Sequence, residues 1–155
     1  MFFLRLCPVV NCATLLLTTG CTQPPPFQPV ATVRQLMDST IHPSAEVIFE
    51  SVGTIISISG MEEIAPKNDE EWANVRRSAL TLAEAGNLLM IGDRPRDKDT
   101  WFRNARALTD VAMVAVRATE AKNPAQLFEA GGQVYEVCQR CHDHYWKGAS
   151  REAGR

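Results

Sequence analysis

From Val30 to Tyr145 apolar residues return at spacings of three and four, broken only by short runs rich in Gly, Pro, Asp and Asn. That period leaves a chain of this size little choice but to stack helices. Four segments carry it. The first, "VATVRQLMDSTI", lines up Val30, Val33, Met37 and Ile41. Pro43 interrupts it, because proline disfavours helical geometry at His42 and has no N–H of its own. Helix resumes at Ser44, with Val47, Ile48, Val52 and Ile55 facing inward. "GTIISISG" at 53–60 is β-branched, but no partner strand suggests itself, and it reads as the frayed end of this helix entering a loop.

The second segment starts at Asn68, where Glu71 three residues on completes a capping-box pattern. Trp72, Val75, Ala79, Leu82, Ala83 and Leu89 or Met90 form its buried face, and Gly92 should end it. The third runs over about 99–122 with Trp101, Ala105, Leu108, Ala112, Ala115 and Val116 inside. Asn123 followed by Pro124 is a cap with proline at the first helical position, so a fourth helix begins there. It carries Leu127, Phe128, Val134, Tyr135, Cys138 and Cys141 toward Tyr145. Four amphipathic segments with short connections predict an all-α antiparallel four-helix bundle over 30–147, with 148–155 as a tail. At 155 residues, 45% of them hydrophobic, the chain can fill one such core.

The first twenty residues are no part of that core. "MFFLRLCPVVNCATLLLTTGC" sets one early positive charge, Arg5, before an apolar stretch that closes on small residues, the pattern of an export signal over 1–20. It also resembles a bacterial lipoprotein signal, which implies that Cys21 is lipidated and becomes the new N-terminus. The proline-rich "TQPPPFQP" that follows reads as an extended tether over 21–29. These assignments predict a periplasmic protein anchored to a membrane by lipid.

Once Cys7 and Cys12 leave with the signal and Cys21 takes the lipid, Cys138 and Cys141 remain. Cysteines three apart on a helix fit structural disulfide geometry poorly. They stand in "CQRCHDHYW", where His142 follows Cys141 at once. On an intact helix all three side chains share one face. Two thiols at this spacing suit the two vinyl groups of a porphyrin, and the adjacent imidazole can then reach iron axially, so C-x-x-C-H is a c-type haem attachment signature. A zinc site would recruit His144 as fourth ligand, but on a continuous helix His142 and His144 point roughly 200° apart. A thioredoxin-like dithiol would open a helix after a strand, whereas this motif lies deep in a helix.

A haem motif on the last of four helices, followed by an aromatic near the C-terminus, resembles the cytochrome c prime family of bacterial four-helix-bundle haem proteins. Some low-spin members of that family bind iron through a methionine on the first helix, within a Lys-Leu-Met-Lys type stretch. "RQLMD" at 34–38 matches at Leu36 and Met37. The resemblance implies one covalent haem c on Cys138 and Cys141, with His142 as proximal and Met37 as distal iron ligand. It also implies periplasmic redox proteins as partners and, because such bundles often dimerise, a homodimer.

With both axial positions filled the site would exchange electrons rather than bind substrate. If Met37 only packs, as core methionines do, the iron would be five-coordinate and open to nitric oxide or carbon monoxide. Catalysis is not expected, since Val33, Met37 and Ile41 offer no acid or base to a distal iron face. A formal charge of −2 excludes a basic stripe of the kind that tracks nucleic acid. Removing Arg5 with the signal leaves 15 basic against 18 acidic residues, a charge of −3.

Overall fold

The computed structural model describes residues 27–146. The signal, Cys21, most of the tether and the C-terminal tail lie outside them. The described chain is mostly helical, with one small two-stranded sheet. Its elements are α1 (Val33–Leu36), a π-helical turn (Met37–Ile41), α2 (His42–Glu50), strands β1 (Gly53–Ser57) and β2 (Gly60–Ile64), then α3 (Asp69–Leu88), α4 (Thr100–Glu120) and α5 (Pro124–Tyr145).

The start signals act as their chemistry requires. Thr32 caps α1 and exchanges hydrogen bonds with Gln35 in a full capping box. Asn68 Oδ1 accepts from the Glu71 N–H at 3.0 Å, and Asn123 Oδ1 from the Gln126 N–H at 3.0 Å, which opens α3 and α5. Helix α3 ends at Leu88, short of Gly92, whose positive φ of 69° turns the chain away.

Two expectations are corrected. Pro43 does not break the first helix. The turn before it widens into π geometry, His42 N–H reaching back five residues to the Met37 carbonyl. Pro43 then falls in the first turn of α2, where a missing N–H is tolerated, so α1, the π turn and α2 run as one bulged helix. His42 is accordingly helical although it precedes a proline. "GTIISISG" is not a frayed helix end either, since residues 53–57 form β1 and pair antiparallel with β2, Gly53 opposite Ile64 and Ser57 opposite Gly60. Its partner "GMEEI" carries two glutamates and shows no apolar alternation, so pattern alone could not reveal it.

Helix α3 packs on α4, α4 on α5, and α2 on both α3 and α5. The buried faces anticipated for α3 and α4 are all present, from Trp72 to Leu89 and from Trp101 to Val116. The α3–α4 seam is tight because Gly86 has no side chain. A Cβ there would stand 2.3 Å from Thr109 Oγ1 and 2.7 Å from the Ala105 carbonyl. Thr109 Oγ1 ties the same seam by donating to the Ala83 carbonyl at 3.0 Å. Other anticipated positions are exposed: Val30, Ile55, Phe128 and Tyr135 lie in the solvent-facing set. Among the described residues no helix is long and apolar enough to cross a membrane.

The far ends of α3 carry different devices. At its start Lys122 Nζ meets Asp69 at 2.6 Å, while Arg76 meets Glu120 at 2.9 Å. Twenty residues on, roughly 30 Å away by helical rise, the buried guanidinium of Arg94 donates to the Leu88 carbonyl and twice to the Ala31 carbonyl. The chain therefore enters the fold at the end of the molecule where α5 finishes.

Candidate functional site at the end of α5

Helix α5 runs unbroken through Tyr145, and the Trp146 N–H still reaches the His142 carbonyl at 2.8 Å. Cys138 and Cys141 are therefore about 60° apart around the axis and His142 about 40° from Cys138 on the other side. All three are half-buried, and both thiols are free. Cys138 packs against the main core, as Met37 does from the bulged helix. Cys138, Cys141 and His142 thus share one side of α5, and the half-buried Met37 packs against the same core as Cys138.

The surroundings set the chemistry of these groups. Burial pushes the Cys138 thiol up to about 11, helped by the neighbouring Cys141 sulfur. Burial also raises Cys141, partly opposed by Arg140. Thiols held protonated are weak nucleophiles, so this pair is poorly suited to disulfide exchange. Burial lowers the pKa of His142; Asp143 works against that and His42 reinforces it. A neutral imidazole is the form that can bind a metal.

The aromatic frame is built from three elements. Trp146 presses its ring edge-on to His142, with centroids 5.3 Å apart. Trp101, at the start of α4, stands edge-on to Tyr145 at 5.0 Å and donates its indole N–H to the Leu89 carbonyl at 2.7 Å. The Tyr145 hydroxyl donates to Asp97 Oδ2, and the other oxygen of that carboxylate accepts the Trp101 N–H. The sequence reading missed Asp97, which lies in a turn with no periodicity, and His42, whose place beside Pro43 suggested a turn.

His144 is exposed and lines grooves on the outer side of α5, away from the cysteines. Among the described residues no three His, Cys, Asp or Glu side chains converge as a metal cage, so the four-ligand zinc arrangement is not assembled. A covalent haem needs less from the protein: two thiols and one imidazole on one face. Cys138, Cys141 and His142 fit that donor set. Cys21 lies outside the described residues. Neither protein-family models, curated proteins nor solved structures give a match to this chain.

Proposed function

We propose that this chain is an exported c-type cytochrome of the cytochrome c prime kind, an antiparallel four-helix bundle tethered through a lipidated Cys21 in the periplasm, which transfers electrons. The observation that carries the reading is the single half-buried face of α5 shared by two free cysteines and a histidine of lowered pKa. Cys138 and Cys141 would hold haem c by thioether bonds, and His142 and Met37 would bind its iron. When bound, the haem supplies a one-electron couple. The protein's own part is positional. The core behind Cys138 and the Trp146 ring beside His142 would hold these side chains in place. Supporting the distal assignment, Met37 opens the π turn, and such bulges often mark functional positions.

A second reading rests on the same methionine. Met37 packs against the core as any gap-filling side chain would, which fits a haem that His142 alone would hold and that would be open to nitric oxide or carbon monoxide.

The test is covalent retention. Protein exported in a host with c-type haem maturation machinery should keep haem through a denaturing gel, and a Cys138→Ser, Cys141→Ser double variant should lose it. Wild-type protein that releases all haem on denaturation, or never takes it up, would rule the assignment out.

A further inference from the structure

We propose that the groove between the first half of α4 and the last turns of α5 is a binding site for a phosphate oxyanion. This groove, about 540 Å³ in volume, lies on the flank of α5 away from the cysteine face and does not depend on the haem reading.

Its lining is unlike the rest of this acidic chain. Arg103 and Arg106 reach it from α4 and Arg140 from α5, with His144 at the rim and Asp110 as the lining carboxylate. Among the described residues neither Arg106 nor Arg140 has a carboxylate within 4.0 Å, while Arg103 has only a long contact of 3.9 Å to the exposed Asp99. Three guanidinium groups converge on a groove whose lining holds a single carboxylate, Asp110, so positive charge is in excess there. Planar forks of this kind match the several acceptor oxygens of a phosphate group better than point charges would.

A second, independent feature lies on the groove lining. Asn104 is 6% exposed, and its Oδ1 accepts from Arg140 Nε at 3.3 Å. The amide cannot be turned round, because a guanidinium has no acceptor to offer the NH2 group. Nδ2 is thus left buried with no partner among the described residues. Buried donors are satisfied in nearly all native proteins. Nδ2 has essentially no solvent-accessible surface, so a ligand oxygen would meet it once the exposed Arg140 side chain, bonded to the same amide, moves aside. The groove belongs to the end of the molecule where the chain enters, so a phospholipid headgroup and a soluble phosphate ester are both within the shared chemistry.

The full 15N-labelled chain is titrated with inorganic phosphate while the Asn104 side-chain amide and the Arg140 Nε–H are followed by NMR, with sodium chloride matched for ionic strength. The expected result is a saturable shift of both signals with Kd on the order of 1 mM. Arg106→Gln and Arg140→Gln should each weaken it about tenfold, as loss of a charge-assisted bond does. Glycerophosphoglycerol, the soluble headgroup of an anionic phospholipid, is the second probe. Binding it as tightly as phosphate assigns the site to a lipid headgroup, and a clear preference for inorganic phosphate assigns it to a soluble ester. Shifts that fail to saturate with either probe, or that chloride reproduces, overturn the proposal.

Discussion

Tyr145, in the last turn of α5, donates its hydroxyl to one oxygen of Asp97 while the other oxygen of that carboxylate accepts the N–H groups of Asp99 and Trp101. One turn residue therefore fastens the end of the helix that carries Cys141 and His142 to the beginning of α4. The phenol pulls Asp97 down from 3.8 to about 2, with the Trp101 N–H next in effect. Because the folded value lies below the unfolded one, this contribution is complete above pH 3.8 and is lost as pH falls through about 2. Tyr145→Phe should lower the melting temperature at pH 5 and raise the Asp97 pKa measured by carboxyl NMR. The gap between the two proteins should close as pH falls to 2, and a gap independent of pH would refute the coupling.

Gly86→Ala tests the α3–α4 seam. In an open helix this change stabilises by up to about 1 kcal/mol. Here the new methyl would meet Thr109 Oγ1 at 2.3 Å and backbone at 2.7 Å. Overpacking of that kind costs about 1–3 kcal/mol, so the clash outweighs the propensity gain. Denaturant unfolding should show a net loss, and a gain in stability would contradict the packing described.

Arg94→Met removes three hydrogen bonds from a site only 7% exposed and leaves the Ala31 and Leu88 carbonyls without that donor. The Leu88 carbonyl still accepts the Ile91 N–H at 3.4 Å, so the loss falls mainly on the half-buried Ala31 carbonyl and should be about 1–2 kcal/mol. Hydrogen exchange should accelerate first at Leu36, the first turn of the bulged helix, whose N–H is bonded to the Thr32 carbonyl. Uniform acceleration across all four helices would show that Arg94 does not act locally.

The β1–β2 hairpin should behave as a satellite. Ile56 is 78% exposed and Ile58 fully so, and surface substitutions away from special features usually change stability by less than about 0.5 kcal/mol. Replacing both with Ser should leave the unfolding midpoint of the helical body unchanged. A loss above about 1 kcal/mol would mean that the hairpin packs on that body.

The parts of the fold legible in the sequence were those governed by local rules. Asn68 and Asn123 announce helix starts through their own side chains, and the Trp72 and Trp101 stripes bury as the 3.6-residue period dictates. Pro43 and "GTIISISG" were misread because their outcome depends on neighbours. A widened turn absorbs the proline, and an acidic segment with no strand pattern completes the hairpin. Phe128 and Tyr135 are apolar but lie off the buried line of α5, which runs through Leu127, Ala130, Val134 and Val137. At the site, helical spacing made Cys138, Cys141 and His142 legible together. Asp97, Trp101 and His42 come from other elements, and only the tertiary fold brings them near.

The central claim, a haem carried on Cys138, Cys141 and His142 with Met37 opposite, is tested most directly by the optical spectrum of the matured protein. It should be recorded oxidised and reduced, with and without carbon monoxide, beside Met37→Ala. The expected result is a covalently held low-spin haem with a methionine-to-iron charge-transfer band, indifferent to carbon monoxide, and a Met37→Ala protein that loses the band and binds the gas. A high-spin wild-type spectrum that shifts with carbon monoxide would contradict the electron-transfer assignment and make Met37 a packing residue. A protein with no haem at all would contradict the site itself.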